Sequence, residues 1–544
     1  MPAILTINGH AIEATPGESI FEHAERLGVR VPTSCQKQGK CRECMVEVTA
    51  GAELLTERTE EERHLSGRFR LSCRTRVAAE QGVVECHTMR RGQMRIETES
   101  AGLAEGPRGV APDPAVVREG DRILLDGEEI ERATGPLHGI AMDLGTTTVV
   151  LRLFDLETGA RIADRSFENP QRFGGSDVMS RIHYDCEHPG KLLRRTLAGY
   201  LSHAIEEFPC DPRTIYEMVV VGNSTMRDLF FGQSVYTIGQ NPYRSVTEIE
   251  MAEGKRATTS LTMTGRRALL PIHPRARVYG APIISGHVGA DAAACLLAVD
   301  MAHEDRLIAV MDIGTNTELI LGNRQRVLAA SCPAGPAFEG GAIACGMPAL
   351  EGAIEDVRAD GAGGFETRVI GGGPAEGICG SGLVALLSEL LRTGRMNELG
   401  RFEDGGRIEL DGGRVFFLEN DASELAQAKG AHVAGLQVVA SRYGVDFSDI
   451  EVFYLAGGFG RHIPVEAAMR IGLIPKLPVS RVVQAGNAAI GGASMALVSM
   501  AKRREMEELV RRVEHCRLET DPRFFDLFVE GCQFKPLDAV GVAG

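Results

Sequence analysis

The sequence predicts a multidomain protein of mixed α+β and α/β class, in which a small β-grasp domain precedes a larger, internally duplicated core. Three observations carry this prediction. The chain has 544 residues, too many for one ordinary hydrophobic core. A hairpin and a helix near the N-terminus lead into a run of closely spaced cysteines. An apolar strand ending in aspartate, glycine and hydroxyl residues then occurs twice, about 170 residues apart.

Composition narrows the function classes. Hydrophobic residues make up 44% and charged residues 24%, as in soluble globular proteins, but 64 glycines exceed the usual share of about 7%. Tight backbone turns of the kind that surround nucleotides are expected. A formal net charge of -15 argues against nucleic acid or an anionic membrane as the main partner, since both select a basic face. The first residues hold no basic stretch followed by an apolar run, so a cytoplasmic protein is expected. The uncharged stretch 482–501 is diluted by Gln484, Gly486, Asn487, Gly491 and Gly492 and reads as a buried helix rather than a membrane span. Thirteen cysteines in such a compartment point to metal ligation or burial rather than disulfides.

The first domain is placed at 1–93. Residues 4–7 alternate as a half-buried strand, Asn8-Gly9 is a two-residue hairpin signal, and 11–14 supplies the returning strand. Thr15-Pro16-Gly17-Glu18 has the form of a capping box opening a helix with Ile20, Phe21, Ala24 and Leu27 on one face. Cys35, Cys41 and Cys44 follow as C-x5-C-x2-C, and Cys73 lies on a later strand. A two-iron cluster needs two thiolates per iron, and three loop cysteines plus one distant partner supply them in plant-type ferredoxins. The spacing is one residue longer than C-x4-C-x2-C and is similar to the adrenodoxin-like variant. A structural zinc site competes, but it usually uses two C-x2-C knuckles, and only one such pair is present. Cys86 lies outside the pattern.

Residues 94–136 read as a linker, with only Arg122–Leu125 strand-like. Beyond it, Asp143, Gly145, Thr146, Thr147 and Thr148 close an apolar strand; Asp312, Gly314, Thr315 and Asn316 close another. Each reads as a hairpin turn whose glycine lets the backbone approach phosphate, whose N–H and hydroxyl groups hold oxygens, and whose aspartate carries Mg²⁺. A third strand runs into Gly457, Gly458 and Gly460, a turn able to pass beneath an adenine ring. In this order the three elements resemble the two phosphate motifs and the adenosine motif of the superfamily of acetate and sugar kinases, heat-shock chaperones and actin. That resemblance implies an actin-like ATPase core of two ribonuclease-H-like lobes, 137–303 and 304–544, with ATP between them. It also implies interdomain helices at Gly289-Ala290-Asp291 and at 377–382, making Asp291 a candidate for orienting the attacking water. A helix N-cap is the competing role for Asp291.

The complete order, ferredoxin-like domain, linker and actin-like ATPase, resembles the reductive activators of corrinoid enzymes. Specific strings support it, among them Asn169-Pro170-Gln171, Gly222-Asn223-Ser224-Thr225, Gln240-Asn241-Pro242-Tyr243 and Gly335-Pro336-Ala337 through Glu339-Gly340-Gly341. The resemblance implies that one electron passes through a [2Fe-2S] cluster to an inactive Co(II) corrinoid protein, restoring Co(I), with ATP hydrolysis driving the step. Plant-type clusters sit near roughly -400 mV, and each ~59 mV further down costs tenfold for one electron, so an uphill transfer needs such a drive. Cys35, Cys41, Cys44 and Cys73 would ligate the cluster. Asp143, Asp291 and Asp312 would serve the hydrolysis; Gly145, Thr146, Thr147, Thr148, Gly314, Thr315, Asn316, Glu339, Gly457, Gly458 and Gly460 would surround ATP and Mg²⁺. Reduced ferredoxin, flavodoxin or an NAD(P)H-linked reductase is the implied donor, and a homodimer the implied assembly. The alternatives are an ATP-gated iron-sulfur reductase or electron carrier for another low-potential acceptor such as a dehydratase, and a small-molecule kinase with a fused ferredoxin domain. Cys332, Cys345 and Cys379 invite comparison with the dehydratase activators, but no C-x2-C pair occurs among them and burial accounts for them.

Overall fold

In the computed structural model, residues 2–89, 110–403, 405–458 and 462–538 are described. The N-terminal sheet has five strands in the order His10–Glu13, Ala3–Ile7, Gly82–Thr88, Met45–Ala50, Phe69–Leu71. The Asn8-Gly9 hairpin forms as the sequence predicts, with Asn8 and Gly9 both at positive φ. The helix is Ile20–Arg26, and its cap differs from the expected one. Ser19 is the N-cap and Glu22 closes the capping box, because Gly17 turns left-handed at φ 87° and delays the helix by four residues.

Of the segment 94–136, residues 94–109 lie outside the described residues. The remainder contains more structure than its composition suggests: Val116–Glu119, Arg122–Leu125 and Glu128–Arg132 form a three-stranded antiparallel sheet. Asp113 exchanges backbone hydrogen bonds with Val498 and Met500, so this piece is fastened to the far end of the chain.

Two six-stranded sheets follow. The first runs Arg161–Glu168, Thr148–Asp155, His138–Leu144, Ile215–Val221, Arg277–Gly280, Leu261–Thr264. In the second, the order is Val327–Cys332, Thr317–Gly322, Ile308–Asp312, Val452–Ala456, Val482–Gly486, with Val513–His515 added beside Val327–Cys332. The five shared strands match one for one: three antiparallel, then two parallel. The repeated turns therefore mark a duplicated lobe, and each lies at the same corner of its sheet. Strands buried on both faces read as near-continuous apolar runs, as in Val452–Ala456 and, apart from Glu217, Ile215–Val221, both buried throughout.

The lobes meet along Ala290–Ala298 and Ala488–Val498, which bear only small residues at their crossing. A Cβ on Gly492 would fall 2.0 Å from the Ala294 carbonyl oxygen. Residues 482–501, read above as one buried helix, divide into the strand Val482–Gly486 and the helix Ala488–Val498. Glycines in that stretch end the strand and let the helices approach, rather than diluting a single helix. The other expected interdomain helix, Gly380–Arg392, packs instead on Ala353–Ala359 within the second lobe. The charged stretch after Met500 forms the helix Met500–Val510, which packs on the first lobe instead of being wholly solvated. Arg503 is buried and donates to Glu217 at 2.8 Å, while Glu507 accepts from the Tyr279 hydroxyl at 2.6 Å. Among the described residues no helix is long and apolar enough to cross a membrane.

Candidate functional site: a two-lobed phosphate cleft and a thiol cage

The cleft is assembled from both lobes. Its two hairpin turns face each other, as the Thr147–Thr315 contact shows, and the first is tight: the Gly145 N–H donates to the Thr148 carbonyl at 2.9 Å, and a Cβ on Gly145 would fall 2.7 Å from that oxygen. Between them lies an open cleft. Asp143, Gly145, Thr146, Thr147 and Thr148 line one side; Asp312, Gly314, Thr315 and Asn316 line the other. Asp291, Glu339, Gly457 and Gly458 complete the wall. Every cleft residue singled out in the sequence is thus in one place, apart from Gly460, which lies outside the described residues.

Hydrogen bonds connect the two sides directly. Thr147 Oγ1 and Thr315 Oγ1 lie 2.9 Å apart across the cleft, and both contact Glu339 Oε2, at 3.1 and 2.5 Å. Glu339 is therefore a brace between the lobes in this conformation. Gly457 sits at φ 100°, and a Cβ there would fall 2.3 Å from the Ile313 carbonyl oxygen, so only glycine fits beneath the second turn. Asp291 lies in the first turn of Ala290–Ala298, but Gly289 is the N-cap. Asp291 is thus a cleft residue and not the helix cap.

Three further polar residues line the cleft that composition and spacing did not single out as ligands: Asn223, Glu318 and Asn487. Asn223 caps the helix Ser224–Phe231 and donates to Thr146 Oγ1 at 2.9 Å. Asn487 caps Ala488–Val498 and donates to Asp143 Oδ2 at 2.7 Å. Each follows a strand of its sheet and precedes a helix, the signal that could have found them.

The electrostatics call for a cation. Five carboxylates, Asp143, Asp291, Asp312, Glu318 and Glu339, line the cleft. Burial raises all of them above their ordinary values: Asp312 to about 6, Asp143 to about 7 despite the Asn487 hydrogen bond, and Asp291 to about 8 with Asp143 and Asp312 adding to the shift. Glu318 is raised by burial and by the charges of Asp291 and Asp312, Glu339 by burial alone. A buried carboxylate cluster beside phosphate-type turns is the hard-oxygen donor set that Mg²⁺ takes, so the residues fit Mg²⁺ with a polyphosphate.

The thiol cage is the second centre. Cys41, Cys44 and Cys73 are buried, and Cys44 Sγ lies 3.2 Å from Cys73 Sγ. Gln36, Lys37, Gly39 and Arg42 all adopt positive φ, coiling the loop around Cys35. Burial raises the Cys35 thiol, but N–H groups of Cys41, Lys40 and Gln38 outweigh it and draw the thiol down to about 7. Donor-rich loops of this kind stabilise thiolate sulfur, so the cage fits an iron–sulfur cluster. Cys86, by contrast, is simply buried, which pushes its thiol up to about 12. Cys332 and Cys379 are buried as well.

Comparison with known proteins agrees with this geometry. Residues 5–78 match the 2Fe-2S iron-sulfur cluster binding domain, 138–304 the RACo middle region, and 306–540 the C-terminal domain of RACo, the ASKHA domain. The chain is 31% identical over 453 residues to the corrinoid activation enzyme RamQ of Eubacterium limosum, covering 77% of this chain and 74% of that one. It is 24% identical over 423 residues to the [Co(II) methylated amine-specific corrinoid protein] reductase of Methanosarcina barkeri, covering 72% and 76%. The solved structure of a reductive activator for corrinoid, iron-sulfur protein superposes with a TM-score of 0.72 and 25% identity, covering 98% of each chain. Fold and site together define an iron–sulfur protein with an ASKHA-type, actin-like ATP-binding core. More particularly, the chain belongs to the family of corrinoid activation enzymes, the reductive activators of corrinoid proteins.

Proposed function

We propose that this protein is an ATP-dependent reductive activator that passes one electron to the inactive Co(II) of a corrinoid protein and restores Co(I) for methyl transfer. The observation that carries the reading is the presence, in one chain of this family, of a four-cysteine cage and a cleft lined by five carboxylates, a donor set that suits Mg²⁺. When bound, the [2Fe-2S] cluster supplies one-electron transfer at low potential and Mg²⁺-ATP supplies the free energy for an uphill step.

In this reading Cys35, Cys41, Cys44 and Cys73 hold the cluster, and the backbone N–H groups around Cys35 tune it. Thr146, Thr147, Thr315 and Asn316 bind phosphate oxygens through hydroxyl, amide and backbone donors. Asn487 keeps the Asp143 carboxylate aimed into the cleft, and Cys295 does the same for Asp312 with a 3.4 Å contact. Asp291 orients water at the terminal phosphate. Gly457 and Gly458 leave room for the adenosine. Glu339 releases the two threonine hydroxyls when phosphate takes its place. The electron donor is a reduced ferredoxin, a flavodoxin or an NAD(P)H-linked reductase; the protein works as a cytoplasmic homodimer. The domain limits that go with this reading are 1–93, 94–136, 137–303 and 304–544.

The test is anaerobic: cluster-loaded protein, a Co(II) corrinoid protein and reductant, with and without ATP, following the Co(I) absorption band. Co(I) should accumulate only with ATP and should vanish in Cys41→Ser. Absence of Co(I) with any corrinoid protein, despite an intact cluster, refutes the reading.

A further inference from the structure

One route from the phosphate turn to the ferredoxin domain is a short piece of chain, 169–172. Asn169 begins it. Its N–H donates to the Thr147 carbonyl at 2.6 Å, and its side-chain amide donates to the Gly145 carbonyl at 2.8 Å. Asn169 is also the N-cap of the turn Pro170–Gly174, accepting from the Gln171 N–H at 2.9 Å. Three residues on, Arg172 leaves that turn and donates to Glu47 of the ferredoxin domain at 2.7 Å. Its other amino group donates to Glu168 at 2.6 Å, and the guanidinium lies over the Phe69 ring, 5.9 Å from its centroid. Glu47 belongs to Met45–Ala50, the strand that begins immediately after Cys44.

The contact is well placed to transmit. Glu47 is buried and Arg172 half-buried, which limits the screening of the pair by salt and water. A second strut runs alongside. Arg181 of the helix Val178–Glu187 is wholly buried, donates to the Gly175 carbonyl at 3.0 Å, and lies 3.1 Å from Met226 Sδ in the helix that Asn223 caps. Tyr184 of the same helix packs edge-on against Phe173, and its hydroxyl is 3.5 Å from the His64 carbonyl of the ferredoxin domain. Phosphate turn and cluster domain are thus linked through this segment.

We infer that Asn169–Arg172–Glu47 is a coupling element through which nucleotide in the cleft and the redox state of the cluster domain bias each other, with Arg172 as a positioning residue. The inference rests on the nucleotide and cluster readings above. Coupling of this kind is reciprocal: if cluster oxidation state changes nucleotide affinity, nucleotide changes the cluster potential by the same factor.

The experiment uses the full-length holoprotein with Mg²⁺ and a nonhydrolysable ATP analogue, measuring Kd by calorimetry in the oxidised and the dithionite-reduced forms. Coupling free energies between sites commonly change affinity about fivefold or more, so the two Kd values should differ by at least that factor. An equivalent shift of about 40 mV should appear in a redox titration with and without the analogue, from ~59 mV per tenfold. Arg172→Gln should still bind the analogue and keep its cluster absorption, but lose the difference; Arg172→Lys should keep most of it. Glu47→Gln tests the contact from the other side should Arg172→Gln fold poorly. Equal Kd values in the two redox states of the unaltered protein overturn the inference while leaving the nucleotide site standing, as does a full difference in both variants. No binding in either state overturns the nucleotide reading as well.

Discussion

At the scale of single residues, the buried acids are the most sensitive parts of the cleft. Asp312, Asp143 and Asp291 hold their protons up to about 6, 7 and 8, and Mg²⁺ must displace protons before it binds. Affinity for the Mg²⁺–nucleotide complex should therefore rise with pH and level off above about 8, by roughly tenfold per pH unit for each proton displaced; Asp312→Asn should flatten the part of the rise below about 6. Calorimetric titrations at several pH values check this. Lys429 makes a contrasting case. It is buried, donates to the Gln533 carbonyl at 2.7 Å, and burial lowers its ammonium from 10.5 to about 7. Between those values the unfolded chain holds the extra proton, so the residue's contribution makes stability rise with pH from about 7 to 10.5 and stay level below, where both states are charged. Lys429→Met should remove that slope and raise stability at pH 7 by roughly 3 kcal/mol, because each tenfold loss of proton affinity on folding costs about 1.36 kcal/mol and the lost hydrogen bond offsets part of the gain. Denaturation at pH 7 and pH 10 measures both. The aspartates, threonines and cysteines of both centres were legible because each belongs to a repeated or spaced pattern. Asn487 and Lys429 were not. Their importance comes from what the fold brings to them, a carboxylate some 340 positions away in one case and an enclosing helix in the other.

Among elements, turns were easier to read than helices. The Asn8-Gly9 hairpin and both aspartate hairpins form where the residues demand them. The first helix begins later than Thr15 because Gly17 must turn before Ser19 can cap, and two equally good capping boxes in one stretch cannot be ranked without tertiary context. The strand and helix within 482–501 merged in the sequence because the whole stretch is uncharged and a five-residue strand is too short to show a period of its own. Their junction explains Gly492. In an isolated helix, Gly→Ala gains about 1 kcal/mol. Here the methyl would meet the Ala294 carbonyl oxygen at 2.0 Å, and overpacking costs about 1–3 kcal/mol, so Gly492→Ala should lower stability and part the lobes. A fall in denaturation midpoint together with weaker nucleotide binding is the expected result; a gain in stability would show that the crossing yields easily.

For the whole molecule, the nucleotide seat belongs to neither lobe alone. A ligand at a hundredfold excess over its Kd adds about 2.7 kcal/mol to whatever must stay folded to bind it. Calorimetry with the Mg²⁺–nucleotide analogue should accordingly move the transitions of both lobes upward together. Movement of only one transition would mean that half of the cleft carries the binding. The duplicated architecture was visible in the sequence from its two hairpins, whereas the fastening of residues 110–132 and of Met500–Val510 to the first lobe depends on contacts between distant positions and left no local signature. Duplication has one more consequence. A pair of lobes related in this way offers a nucleotide two opposed seats, head to tail, and a molecule with distinct ends can take only one. The choice is written in the residues after the two equivalent strands. Behind Ile215–Val221 stands Asn223, whose amide is already committed to Thr146; behind Val452–Ala456 stand Gly457 and Gly458, with no side chain in the way. If the proposed adenosine role of Gly457 and Gly458 holds, the vacant corner would admit the base, the filled corner would refuse it, and ATP would acquire a direction in an otherwise even-handed frame.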